Sequence, residues 1–239
     1  MSTLLSLPDT VEQRLDANSE TSALRMAADI ATELDGAVQQ RGQATLIVSG
    51  GRSPIAFFQA LSGAMLDWSK ITVSLADERW VPSDHADSNA RLVREHLLRG
   101  PAAAAHFVPL AHADSAPEAA LARVEREFAA LPSPFDVVVL GMGDDAHTAS
   151  LFPNLPETER ALDPAGPATL AIIRPSTAPH ARITLTLAAL KRSRRIVLQI
   201  QGSKKREVIE AAVGQPALRC PIAAILSLRE IPVRLYYSD

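Results

Sequence analysis

The stretch VVVLGMGDDAHTASLFP, residues 137–153, carries branched apolar residues straight into a glycine turn, then presents Asp144, Asp145, His147, Thr148 and Ser150 before Pro153. A short continuous apolar run that ends in glycine reads as a strand buried on both faces, the mark of a parallel sheet covered by helices. With Phe135 and Asp136 the run extends over FDVVVL (135–140), and its continuity predicts a central place in the sheet. Ligands of such sheets bind beyond the carboxyl ends of the strands, so the turn after this strand is a candidate site.

Outward from this stretch, strands alternate with helical patterns. Leu24, Ala27, Ile30, Ala31, Leu34 and Val38 recur at helical spacing, with Gly42 as the stop. ATLIVS (44–49) reads as a buried strand, and Ser53-Pro54 as an N-cap with proline in the first turn of a helix to about Leu61. ITVSLA (71–76) is the next strand, and the polar loop DERWVPSDHAD leads into an amphipathic helix over 88–99. Ser115 and Glu118 have capping-box spacing at the head of a helix to about Leu131. TLAIIR, ITLTL and RIVLQI read as strands, a helix begins near Ser203, and VRLYY is a final strand. The proline-rich segment 153–168 reads as an irregular excursion, either a lid or a crossover. The pattern predicts an α/β fold over residues 1–239 as a single domain, doubly wound, with a largely parallel sheet and helices on both faces.

Composition narrows the functions. The chain has 239 residues, 47% hydrophobic and 21% charged, with a net charge of −3. No positive field draws it to nucleic acid or to an anionic membrane, so local basic groups must do any anion binding. One cysteine, Cys220, rules out an internal disulfide, and every apolar run is broken too early for a membrane span. A cytoplasmic protein without membrane or nucleic-acid partners is the expectation; the oligomeric state is left open. His85, His96, His106 and His112 form no H-x-x-x-H pair, so no metal site is read from spacing.

Gly141-x-Gly143-x-x-Ala146 after a strand satisfies the dinucleotide fingerprint in form. Asp144 and Asp145 stand where a pyrophosphate would lie, and the acidic ribose residue expected about 20 positions on falls in the proline-rich segment, so this is a minor alternative. Asp145 beside His147 fits another use, a carboxylate that fixes the tautomer of a general base. The plain structural alternative has His147 capping a following helix and Asp145 as a solvated turn residue. Because a Cβ disfavours positive φ, Ala146 is expected at negative φ.

Other loops at predicted strand ends add to the histidine reading. Ser49-Gly50-Gly51-Arg52-Ser53 joins a strand to a helix start, where free N–H groups and a guanidinium suit an anion. Asp77-Glu78-Arg79-Trp80 gathers charges beside an aromatic, and Lys204-Lys205-Arg206 sets cations against the dipole of a helix start, a conflict that a bound anion would relieve. Each taken alone is as well explained by a capped turn, a surface ion pair or a solvated basic turn.

SGGRSP, DERWVP followed by SN and REHLL, GMGDDAHTASLFP, RITLTL and G-x-x-K occur in one order over most of the chain. In this ordered set the sequence resembles the 6-phosphogluconolactonase family, within the superfamily that also holds glucosamine-6-phosphate deaminase. The resemblance implies metal-independent and cofactor-free hydrolysis of a sugar-phosphate lactone in the oxidative pentose phosphate pathway. It implies His147 as base, Asp145 as its partner and Arg79 as a further catalytic cation. It places Ser49, Gly50, Gly51, Arg52, Ser53, Lys205 and Arg182 with the substrate and its phosphate. The family reads D-G-H where this chain has Asp145-Ala146-His147, a departure that bears on turn geometry more than on chemistry. Oxyanion donors are left open between a glycine loop and Arg79. Two neighbouring functions remain: the deaminase, whose D-G-H continues differently from Thr148–Pro153, and a non-enzymatic sugar-phosphate sensor, for whose DNA-binding domain the segment before the first strand has no room.

Overall fold

The computed structural model describes residues 4–111 and 114–239, and His112 lies outside them. The chain begins with β1 (Val11–Asp16) and the long helix α1 (Ser19–Arg41). Asn18 caps α1 by accepting the Thr21 N–H at 2.9 Å, and Gly42 ends it at φ 76°, a left-handed stop that suits glycine. Its inner face is Ala23, Met26, Ala27, Ile30, Leu34 and Ala37. Leu24, which the spacing had put on this face, is 57% exposed, because the buried stripe is centred one position earlier in the turn.

The first half continues through β2 (Ala44–Val48), α2 (Ile55–Ser62), β3 (Ile71–Leu75), β4 (Asp77–Arg79), α3 (Asn89–His96), β5 (His106–Val108), α4 (Pro117–Ala129) and β6 (Val137–Leu140). Two expected caps are absent. Residues 52–54 form a turn, Pro54 occupies the N-cap position and Ser53 makes no cap bond, since the helix starts only at Ile55. Pro117 likewise sets the start of α4 one residue later than the capping box requires; Ala116 is the N-cap, Ser115 bonds to Asp114, and Glu118 pairs with Arg174. Ser88 does cap α3 through the Arg91 N–H, but the helix ends at His96 and not at residue 99.

The second half comprises α5 (Pro156–Ala161), β7 (Leu170–Ile173), β8 (Arg182–Leu185), α6 (Leu187–Leu190), β9 (Ile196–Gln201), α7 (Ser203–Ala212), α8 (Ile222–Leu226) and β10 (Val233–Ser238). Seven strands form a parallel sheet in the order β1-β10-β9-β6-β2-β3-β5, with β6 at the centre as its apolar run requires. Every residue of β2 and β6 is buried, so both faces of the sheet are covered. Asp136, at the foot of β6, accepts the Thr45 N–H at 2.8 Å and pairs with Arg41 at 2.6 Å, which ties β6 to β2 and α1.

TLAIIR and ITLTL do not join this sheet. They form β7 and β8 of a separate antiparallel sheet, β4-β8-β7, whose first strand comes from the DERW segment expected to be loop. The Leu185 N–H donates to Ala76 O at 2.8 Å, so the small sheet hangs from the carboxyl end of β3. Segment 153–168 leads toward this sheet through α5, where Thr158 and Ala161 are buried while most of the segment is exposed. Among the described residues no helix is long and apolar enough to cross a membrane.

Candidate active site

The carboxyl ends of β2, β6 and β9, together with β4 and α3, wall a cavity of about 280 Å³. It collects Ser49, Gly50, Gly51, Arg52, Ser53, Arg79, His147 and Lys205, eight of the ten residues expected at the site. Asp145 stands behind His147, and Arg182 behind Arg79 as its cross-strand partner in the β4–β8 pair. No residue of 153–168 lines the cavity.

The turn after β6 is built to hold the imidazole. His147 O accepts the Gly143 N–H at 2.9 Å, Gly143 O accepts the Ala146 N–H at 3.1 Å, and Thr148 Oγ1 donates to Gly141 O at 2.9 Å. Gly143 has to be glycine, because a Cβ there would fall 2.2 Å from two atoms of the His147 ring. The reversal that returns the His147 carbonyl to Gly143 needs a left-handed residue, and Ala146 supplies it at φ 66°. The expectation of negative φ is therefore wrong: closure of the turn, with the Ile222 N–H bound to Ala146 O at 3.0 Å, outweighs a Cβ penalty of about 1–2 kcal/mol. The turn runs into further turns and not into a helix. His147 therefore caps no helix, and the helix start on which the dinucleotide geometry rests does not follow Gly143.

His147 Nδ1 lies 2.5 Å from Asp145 Oδ1. An ionised carboxylate has no proton to give, so Nδ1 carries the hydrogen and Nε2 is left with its lone pair. Burial acts to raise the Asp145 carboxyl, but the hydrogen bond and charge of His147 outweigh it and hold it below the ordinary range. Phe152 stacks on the ring at 4.4 Å between centroids and fixes its plane. Asp144 turns away to pair with Lys204 at 2.5 Å, while Lys205 faces the cavity.

The opposite wall depends on Glu78, which is 1% exposed. Its carboxylate accepts the N–H groups of Arg79, Asn89 and Ala90 and the Ser88 hydroxyl, so one side chain joins β4 to the start of α3. Burial raises the Glu78 carboxyl, with Asp77 adding to the effect, against the pull of the backbone donors. Arg79 donates to Asp87 O. Arg182 is buried, and its Nε and Nη1 have no partner among the described residues. Burial and then the Arg79 charge push its guanidinium below its ordinary value, against Asp77, Glu78 and Asp87. Ser49 Oγ and Asn89 Oδ1 are buried and unpartnered as well. Unmet cationic and polar groups in and behind one cavity are what an anionic, hydroxyl-rich ligand would satisfy.

Three polar lining residues were not expected among the site residues, although Asp77 belongs to the charged cluster read at 77–80. Asp77 accepts the Ser150 hydroxyl at 2.6 Å; Asn89 donates to Asp77 O at 2.9 Å; Gln199 donates to Ser53 O at 3.2 Å. Only Gln199 had a clear local signal, as an amide within the otherwise apolar strand run RIVLQI.

A cavity at the carboxyl ends of parallel strands, with a carboxylate-supported histidine facing cationic groups, defines an α/β protein with a site for acid–base chemistry on an anion. The chain belongs to the family described as glucosamine-6-phosphate isomerases/6-phosphogluconolactonase, which matches residues 17–232. It is 48% identical to a 6-phosphogluconolactonase of Pseudomonas aeruginosa, over 93% of this chain and 94% of that protein. The crystal structure of a 6-phosphogluconolactonase from Shewanella baltica superposes with a TM-score of 0.94 at 40% identity, covering 98% of this chain and 100% of the other. A monomeric glucosamine-6-phosphate deaminase shares the fold, with a TM-score of 0.76 at 18% identity over 96% of this chain and 98% of its own. The fold alone therefore does not separate the two activities.

Proposed function

We propose that the chain, as one domain, hydrolyses 6-phospho-D-glucono-1,5-lactone to 6-phospho-D-gluconate. The observation that carries this reading is the 2.5 Å contact between His147 Nδ1 and Asp145, on a cavity shared with the 49–53 loop and Lys205. Relatives named 6-phosphogluconolactonase at 48% and 45% identity over 93% of the chain support it.

His147 Nε2 takes a proton from water as the water oxygen bonds to lactone C1, and Asp145 stabilises the imidazolium. Charge collects on the carbonyl oxygen, where Arg79 or the glycine-loop backbone donates. The tetrahedral centre then collapses, the bond from C1 to the ring oxygen breaks, and the imidazolium returns its proton to that oxygen. Arg52, Lys205 and the 49–53 loop hold the phosphate, and Arg182 adds positive charge for the anion from behind Arg79. A strained cyclic ester opens unaided, so a base contributing ~10²–10⁴-fold together with positioning is a sufficient device.

The test is hydrolysis of the lactone by purified protein above the spontaneous rate, with unphosphorylated gluconolactone as the comparison. Acceleration of the phosphorylated lactone alone is the expected result. Equal efficiency on both would remove the phosphate site, and no acceleration would remove the activity.

A further inference from the structure

Outside the cavity, the fold brings together two histidines that are far apart in sequence. His85 lies in the segment between β4 and α3, and His180 in the segment between β7 and β8. Their rings meet edge to face, 5.4 Å between centroids and 77° between planes. Asp87 completes the group, with Oδ2 at 3.1 Å from His180 Nε2 and 3.9 Å from His85 Nδ1. One ligand atom from each residue lies within 4.8 Å of the others. None of the three lines the cavity.

We propose that His85, Asp87 and His180 bind a divalent cation of the zinc type at the rim of the site, separate from the hydrolytic histidine. Tetrahedral zinc with bonds of ~2.0–2.1 Å places neighbouring ligand atoms about 3.4 Å apart. The two distances to Asp87 bracket that value, and side-chain rotation that draws the two histidine nitrogens together from within 4.8 Å closes the set. Two imidazoles and one carboxylate select zinc and similar transition ions over magnesium or calcium, which take oxygen.

His85 Nδ1 accepts the Asp87 N–H at 3.0 Å, so this nitrogen is unprotonated, and an ion that takes its lone pair displaces that hydrogen bond. His180 is held at φ 69°, a left-handed backbone that a non-glycine residue adopts only when its surroundings impose it. Its side chain is 29% exposed, with Asp87 at 51% and His85 at 41%, which leaves the fourth position to water and gives the ion an entry path. Arg79 donates to the Asp87 carbonyl, while the Asp87 carboxylate faces the histidines. Occupancy would cross-link the loops that flank the β4–β8 pair, and so brace the strand that carries Arg79. A simpler role for the group, an Asp87–His180 ion pair with His85 as a neighbour, makes different predictions.

Equilibrium dialysis of the purified chain against ZnCl2, with MgCl2 in parallel, tests the site, using His85→Ala, His180→Ala and the double variant. The expected result is one Zn2+ per chain that is lost in both single variants, with no Mg2+ bound. Zinc binding equal in wild type and double variant overturns the proposal. Should a variant fail to fold by circular dichroism, the X-ray absorption fine structure of the zinc-loaded wild type decides: two imidazoles and one carboxylate oxygen support the site, and any shell with fewer than two imidazoles contradicts it. Neither readout depends on lactone hydrolysis.

Discussion

Gly50 and Asn89 approach so closely that a Cβ on Gly50 would fall 1.8 Å from the Asn89 amide oxygen. Asn89 is buried and tied to Asp77 O, so it has little room to withdraw. Gly50→Ala is therefore expected to push the anion loop and the α3 wall apart, at a cost of about 1–3 kcal/mol in stability. A displacement of about 1 Å in a positioning wall can lower kcat/KM by roughly 10²-fold. Urea unfolding and lactone kinetics on the variant check both figures; wild-type values in both would show that Asn89 yields freely.

Glu78 is the second joint of that wall. Replacing it by Gln leaves one acceptor oxygen and turns an amide NH2 toward backbone donors, so a loss of about 1–3 kcal/mol is expected at neutral pH. The pH dependence has a definite sign. The folded carboxyl titrates above the ordinary value of ~4.3, so between the two pKa values the folded chain holds more protons and stability falls as pH rises. Urea midpoints measured upward from pH 4 will show this decline in wild type and a flatter profile in Glu78→Gln. Identical slopes would contradict the assignment.

Asp145 has the opposite sign. Its folded pKa lies below the ordinary value of ~3.9, so its contribution to stability is fully present above that value and is lost as pH falls through the folded pKa. The stability difference between wild type and Asp145→Asn is expected to shrink as the pH falls below about pH 4. In kinetics the same variant should lower kcat less than removal of His147 does, because the imidazole survives with its tautomer unsupported. A variant with full kcat would leave the 2.5 Å contact without a catalytic role.

Ala146 holds a conformation that glycine adopts freely. Ala146→Gly relieves about 1–2 kcal/mol of strain and costs about 0.5–1 kcal/mol in unfolded-state entropy, so a small gain or no change in Tm is expected, with activity retained. A fall in Tm of several degrees would mean that the buried methyl group contributes more than the strain costs.

The central strands were legible because both faces are buried: β2 and β6 are continuous apolar runs, and no other local pattern competes. The edge strands were not. β1, VEQRLD, is polar and only partly buried, and β5 is three residues long with an exposed histidine, as sheet edges commonly are. The antiparallel direction of β8 had no local sign, since RITL is buried throughout and lies between β7 and β4, the latter at residues 77–79 far upstream. Within the site, His147, Arg79, Lys205 and the 49–53 loop were readable because they sit in glycine turns or charged clusters at strand ends. Asp77 stood in a charged cluster that reads as an ion pair, and Asn89 at the head of a predicted helix; only the fold turns them toward one cavity.

His147 is the base on which the proposed hydrolysis depends. The most direct measurement is kcat for 6-phosphogluconolactone in wild type and His147→Ala, corrected for spontaneous opening, with ammonia release from glucosamine-6-phosphate assayed in the same preparations. The prediction is a wild-type rate above background, a fall of ~10²–10⁴-fold in kcat with a modest change in KM on substitution, and no ammonia from either. Full lactonase activity in the folded His147→Ala protein would contradict the assignment.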